Sequence, residues 1–190
     1  MLEHLFTTSV WRSKIFNDKL DNLIINYLEN EKQNNKEGRK HSNAGGYHTE
    51  FIPLDNPIFQ LLGESLTPHI EESWKLKNFF FYNGWIIENS KGHFNMPHIH
   101  SLSAFSGVYY LKTNKDSGNL YFENPNQIIE MMEYKNLSID KEHTDLKPSH
   151  GIIPKDKDLI LFPSFLRHGV EPNLSESNRI IMSFNIGVRC

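Results

Sequence analysis

Residues 79–87 read Phe79-Phe80-Phe81-Tyr82-Asn83-Gly84-Trp85-Ile86-Ile87, and at this point the pattern of the chain changes. Aromatic and β-branched residues crowd two short runs on either side of Asn83-Gly84, which predicts a strand, or a hairpin broken at that dipeptide. Upstream the spacing is helical. From Ile15 to Gln33 the apolar positions Phe16, Leu20, Leu23, Ile24, Tyr27 and Leu28 recur at three and four residues, with Asn17 or Asp18 available as N-cap. Asn34 to Ser42 reads as a polar loop, and Asn43-Ala44-Gly45-Gly46-Tyr47 as a Gly-containing turn. A second helix is expected from Pro57 to about Leu76, carrying Ile58, Leu61, Leu62, Ser65, Ile70 and Trp74, with a kink at Pro68.

Downstream, short strand candidates follow closely: His98 to His100, Ser106 to Lys112, Asn119 to Glu123, Gly151 to Pro154, Asp158 to Phe162, Leu166 to Glu171 and Arg179 to Val188. Many short strands separated by turns such as Lys115-Asp116-Ser117-Gly118 predict a mainly β fold of jelly-roll type, with the N-terminal helices packed outside it. One domain over residues 1–190 is expected, mostly helical over 1–77 and β over 78–190. Asn126 to Ser149 is polar and weakly patterned, and reads as a lid, an insertion or an edge strand.

Composition narrows the function. The chain has 190 residues, 38% apolar and 23% charged, which is enough for a real core without disulfide or metal staples. A formal charge of -3, with no block of either sign, argues against a nucleic-acid partner held by phosphate neutralisation. No apolar run approaches the ~20 residues of a membrane span, and Met1-Leu2-Glu3-His4 lacks the start of a signal peptide, so a soluble cytoplasmic protein is expected. The single cysteine, Cys190, rules out an internal disulfide and fits a reducing compartment. There is no phosphate-binding glycine loop and no nucleophile elbow.

Ten histidines are the unusual feature. In Met96-Pro97-His98-Ile99-His100 two of them stand two apart on an expected strand, so both side chains leave one face and could share an ion. Chance alone supplies about 0.5 such pairs at this histidine content, so the pair carries little by itself. His168, in Leu161-Phe162-Pro163-Ser164-Phe165-Leu166-Arg167-His168-Gly169-Val170, begins a late strand that a jelly roll can bring beside the early one. Three ligands on one face leave three octahedral positions open, as non-heme Fe(II) oxygenases require. On the final strand Arg179, Ile181, Ser183 and Asn185 share a face, so a guanidinium and a hydroxyl project together, and a buried Arg demands an anion. Simpler readings stand beside these. Arg179 could pair with Glu171 or Asp158, Tyr110 could be core packing, and Ser183 an ordinary strand serine. His93 is a candidate support for the histidine site, whereas His4, His143 and His150 read as loop residues.

Five blocks in order, together with Arg179-Ile180-Ile181-Met182-Ser183-Phe184-Asn185, give this sequence a resemblance to the 2-oxoglutarate and Fe(II)-dependent oxygenases, in particular a branch of small enzymes of bacteria and phages. The blocks are Pro97-His98-Ile99-His100, Ser106-Gly107-Val108-Tyr109-Tyr110-Leu111, Ser117-Gly118-Asn119-Leu120-Tyr121-Phe122, Leu161 to His168, and Glu171-Pro172-Asn173. The resemblance runs from about Gly92 to Gly187. It implies a double-stranded β-helix, Fe(II) and 2-oxoglutarate as cofactors, and dioxygen plus a small-molecule or peptide substrate. By position His98 and His168 match the family's iron histidines, and Arg179 matches the residue that binds the far carboxylate of 2-oxoglutarate. Tyr110 and Ser183 match helper hydroxyls at the same carboxylate. The Tyr109-Tyr110-Leu111 strand looks like that of prolyl hydroxylases, which favours peptidyl proline.

The chain departs from the family at one position. Most members have His-x-Asp or His-x-Glu where this chain has His98-x-His100, so the site lacks its anionic ligand and is one unit more positive. Three ligand sets follow: His100 as third ligand, two histidines with a water, or a carboxylate such as Glu123. The implied function is a dioxygenase that hydroxylates its substrate and releases succinate and CO2. A non-catalytic module for metal or a small acid, and a cupin-like three-histidine dioxygenase without 2-oxoglutarate, are the alternatives.

Overall fold

Eleven strands and two helices follow one another in the residues described by the computed structural model, 6–126 and 147–189. In chain order they are β1 (Trp11–Lys14), α1 (Asp18–Asn34), β2 (Asn43–Ala44), β3 (Tyr47–His48), α2 (Pro57–Trp74), β4 (Phe79–Asn89), β5 (Phe94–His98), β6 (Phe105–Lys112), β7 (Leu120–Glu123), β8 (Ser149–Ile152), β9 (Asp158–Pro163), β10 (His168–Val170) and β11 (Arg179–Val188). The strands make two antiparallel sheets, one ordered β1-β9-β6-β11-β4-β3 and one ordered β2-β5-β10-β7-β8. Crossing between sheets at almost every connection is the winding of a double-stranded β-helix.

Side-chain alternation along the six-stranded sheet sorts the core into two layers. Ile180, Met182, Phe184 and Ile186 of β11, with Ile86, Tyr109, Leu159 and Leu161, face the helices and pack on Leu20, Ile24 and Leu28 of α1 and Ile58, Leu62, Leu66 and Ile70 of α2. The opposite side, with Trp85, Ile87, Val108, Tyr110, Ile160, Phe162 and Ile181, meets Leu120, Phe122 and Val170 of the five-stranded sheet. The chamber between the sheets is therefore sealed on one side by a sheet whose back is buried under helices.

The helices form where their periodicity predicts. Asn17 caps α1, its side-chain oxygen accepting from the Leu20 N–H at 3.1 Å, and Asn56 caps α2 by accepting from Ile58 N–H at 3.0 Å. Pro57 takes the first turn, where its missing N–H costs nothing, and α2 runs on through Pro68. Phe16, counted with the helix stripe in the sequence, lies before the cap and is exposed.

The structure departs from or adds to these expectations at four places. Asn83-Gly84 is not a hairpin, because β4 is one strand of 11 residues. A bulge opposite the Asn185/Ile186 step absorbs Tyr82, and Asn83 Oδ1 accepts from Asn185 Nδ2 at 2.8 Å. His100 lies beyond the end of β5 rather than on it. The stretch 43–47, expected as a turn, is a turn flanked by β2 and β3, which join different sheets across Gly45 and Gly46. β1 went unpredicted because four residues of mixed polarity carry no pattern, and it is held by pairing with β9. The stretch Asn126–Ser149, expected as a lid, an insertion or an edge strand, lies largely outside the described residues. Among the described residues no helix is long and apolar enough to cross a membrane.

Asp158, at the start of β9, anchors β1. Its buried carboxylate accepts from Arg12 Nε at 3.1 Å and from the Lys155 N–H at 2.8 Å, and it pairs with Lys14 at 3.1 Å. Burial works to raise its pKa, but the bonds from Arg12, Lys155 and Lys14 outweigh it and hold the carboxyl below its ordinary 3.8. A carboxyl depressed in the folded state stabilises above the unfolded pKa and loses that contribution as pH falls through the folded value. Asp158→Asn is expected to cost about 2 kcal/mol at pH 7, the half-exposed cations tempering the loss. Thermal melts of both proteins should show a gap that closes below about pH 4. A gap unchanged at pH 3 would show that the charge is not its source.

Candidate metal and 2-oxo acid site

β5 and β10 are neighbours in the five-stranded sheet, and their register sets His168 directly opposite His98. The ladder slips by one residue beyond this pair, next to Pro97, which has no N–H to give it. His100 is fixed separately, its backbone N–H donating to the Ser164 carbonyl at 3.0 Å. The three rings converge, with centroids 4.4 Å apart for His98 and His168 and 5.0 Å for each of the other pairs. One ligand atom from each lies within 4.8 Å of the others, and among the described residues no carboxylate belongs to the group.

Hydrogen bonds on the far side of each ring select the tautomer. His98 Nδ1 lies 2.8 Å from the Met96 carbonyl and His168 Nδ1 2.8 Å from the Leu166 carbonyl. His100 Nδ1 lies 2.6 Å from Asn185 Oδ1, whose amide is oriented by donating to Asn83. Carbonyl oxygens only accept, so each Nδ1 carries the hydrogen and each Nε2 is left with its lone pair. Ser106 Oγ also donates to Asn185 Oδ1 at 2.7 Å and meets Ser164 Oγ at 2.8 Å, which ties His100 to β6, β11 and the residue just after β9. Burial, then the proximity of His98, lowers His168 to about 3 and His100 to about 4, and burial also lowers His98. At neutral pH the rings are three neutral donors, the set that nitrogen-preferring divalent metals take up.

Toward the other end of β11 stands Arg179, 1% exposed. Its Nη1 donates to the carbonyls of Ser117 and Glu171, while Nε and Nη2 are buried without a partner. Neither acid weighed from the sequence neutralises it. Glu171 accepts from the Asn119 N–H with its carboxylate, and Asp158 is taken by Arg12 and Lys14. Gly118 makes this cradle possible at φ +87°, where an added Cβ would stand 2.2 Å from the Glu171 carbonyl oxygen. Tyr110 is fully buried with an unpartnered hydroxyl, and burial pushes its pKa up to about 12, so it stays a donor. Ser183 lies on the same face of β11, buried. A guanidinium and a phenol with open donors, facing one chamber, fit a carboxylate.

Glu123, weighed as a swinging ligand, is paired with Arg167 at 2.8 Å. His93 is not among the converging rings, and it packs against the Gly45 backbone instead. The chain's two-residue repeat places Asn185 on the chamber face, yet its role as the acceptor that orients His100 was not foreseen. Ser106 and Ser164 carry no signal in the sequence. His48 and Trp85 were also passed over. Their rings stack 5.6 Å apart at 8°, and Trp85 meets His100 edge-on at 5.5 Å.

Comparison with known proteins agrees with this arrangement. A prolyl-4-hydroxylase from Pseudomonas putida superposes with a TM-score of 0.59 at 14% identity, over 97% of this chain and 95% of that one. HygX from Streptomyces hygroscopicus, solved with nickel and 2-oxoglutarate, gives 0.64 at 12% identity, over 96% and 84%. An oxidoreductase of the 2OG-Fe(II) oxygenase family from Burkholderia pseudomallei gives 0.54 at 17% identity over 72% of this chain, which spans only 58% of its length. At these identities the likeness establishes the fold. No curated protein sequence matches the chain. The family model described as "Putative 2OG-Fe(II) oxygenase" matches residues 83–185, from β4 through Asn185 and just over half of the chain. The chain thus belongs to the 2OG-Fe(II) oxygenases, enzymes whose cofactors are Fe(II) and 2-oxoglutarate.

Proposed function

We propose that the enzyme hydroxylates a substrate carbon, with peptidyl proline the favoured target, and releases succinate and CO2. In this reading His98, His100 and His168 hold the iron, and Arg179, with Tyr110 and Ser183, receives the far carboxylate of 2-oxoglutarate. The observation that carries it is Arg179, a buried guanidinium with two open nitrogens and, among the described residues, no acid beside it, on the same chamber face as the residue that orients His100. Bound iron and 2-oxoglutarate supply oxidation of the keto acid by dioxygen, one oxygen atom ending in succinate and the other in the substrate hydroxyl. The chain's own work is placement. Asn185 keeps the His100 ring turned so that Nε2 faces its neighbours, Arg179 offsets a carboxylate charge out of water, and Phe122 and Phe162 wall off His168. Peptidyl proline is favoured by the likeness to the Pseudomonas putida prolyl-4-hydroxylase and by the Tyr109-Tyr110-Leu111 strand.

Purified protein given Fe(II), 2-oxoglutarate, ascorbate and air is expected to form succinate above a metal-free control. Arg179→Ala should cut that rate about 100-fold or more while iron still binds, because one buried charge-assisted pair is removed. Absence of succinate and of 2-oxoglutarate binding in the unaltered chain would end this reading. The ligand set has its own test, titration with Mn(II). His100→Ala should weaken Mn(II), and Asn185→Leu, which leaves Ser106 Oγ at 2.8 Å as the ring's remaining partner, should weaken it about 10-fold. If His100→Ala binds Mn(II) as tightly as the parent chain, iron is held by two histidines.

A further inference from the structure

Trp85 sits midway along β4, paired with Ser183 and facing the chamber. Its ring is held on several sides, stacked on His48, tilted against Phe51 at 5.7 Å and edge-on to His100. The indole Nε1 is nevertheless buried with no hydrogen-bond partner. An indole N–H can only donate, so an acceptor must come to it. The adjacent imidazoles do not offer one from Nδ1: that of His48 is turned to the Thr49 carbonyl at 2.7 Å, and that of His100 to Asn185.

Position along β11 tells what passes this donor. Asn185, with His100, marks one end of the chamber face, and Arg179 the other. Between them come Ser183, paired with Trp85, and Ile181, paired with Tyr110. A molecule reaching from the imidazoles to the guanidinium crosses the Trp85 row first, beside His100. We propose that Trp85 is a further cofactor-binding residue, its indole N–H donating to an oxygen at the keto-acid end of bound 2-oxoglutarate. This rests on the reading that 2-oxoglutarate occupies the chamber. Arg179 and Tyr110 then serve the far carboxylate and Trp85 the near one, each ending the isolation of a buried donor. Stacking on His48 fixes the direction of the N–H before anything binds, so little freedom is lost on binding.

The test is calorimetry on Mn(II)-loaded protein with 2-oxoglutarate and with pyruvate, which keeps the keto-acid end and lacks the far carboxylate. Two variants remove the N–H: Trp85→Phe, and Trp85→benzothienylalanine, which keeps ring size and stacking. Both are expected to bind 2-oxoglutarate and pyruvate about tenfold more weakly than the parent chain, by the same factor, with Mn(II) affinity unchanged. Arg179→Ala should weaken 2-oxoglutarate alone. Parent-level affinity in the benzothienylalanine variant overturns the assignment of Trp85, as does a loss confined to 2-oxoglutarate, which would place the N–H at the far end. If the parent chain itself binds no 2-oxoglutarate, the underlying reading fails instead.

Discussion

Side chains along β11 must alternate, and the chamber exists because the two sides of this strand are buried in different surroundings. Ile180, Met182, Phe184 and Ile186 enter an apolar layer under two helices, which fixes the register of β11 against β4 and β6. A slip of one residue would drive Arg179, Ser183 and Asn185 into that layer, where a guanidinium has no acceptor and no water. Apolar burial on one side thus forces the polar residues of the other side into the chamber. The same register lets Asn185 reach His100 from 85 positions away. The helices therefore matter to the site although, of the rings and donors described, none comes from them.

Charge is arranged along the chamber in a one-sided way. The histidines are stripped of protons by burial, so they bring lone pairs and no charge, while Arg179 keeps a cation that nothing nearby cancels. Elsewhere several described cations pair with acids in the ordinary way, Arg12 and Lys14 with Asp158, Lys32 with Glu88, and Arg167 with Glu123. An open guanidinium and an all-nitrogen donor set together favour a dianion, one carboxylate offsetting Arg179 and the other a divalent cation held by the uncharged imidazoles.

Much of this was legible in the sequence, and for physical reasons. β11 was read from Arg179 to Val188 and stands at those bounds, because ten residues of alternation outweigh any local ambiguity. α1 and α2 are legible from their spacing, and α1 also from Asn17 or Asp18 as a cap candidate, whereas the Asn56 cap of α2 emerges only in the structure. Spacing and jelly-roll topology suggest that His98, His100 and His168 share a site, but two histidines two apart are cheap by chance, and a resemblance spread over several blocks gives the grouping its weight. What stayed hidden were features defined by partners rather than by pattern. Asn83-Gly84 looks like a turn in isolation, but Asn185 satisfies the Asn83 side chain and the ring of Phe59 lies where a Gly84 Cβ would stand, so the strand continues. β1, β2 and β3 are too short for periodicity, and each exists because a longer strand offers it an edge. His100 was placed on a strand, yet the chain leaves β5 at His98, and the ring arrives through the Ser164 and Asn185 contacts instead.

The glycine pair at 45 and 46 has a mechanical corollary. Ala44 ends a strand of one sheet and Tyr47 begins a strand of the other, so two residues bridge the layers at this border. Both adopt left-handed φ near +70°, and a methyl on Gly46 would stand 2.1 Å from the Asn89 amide oxygen. So short a tether, about 10 Å from Ala44 to Tyr47 if drawn straight, acts as a clasp. The layers cannot hinge apart along this border, and whatever enters must thread past side chains such as His48 and Phe51 or come from another quarter.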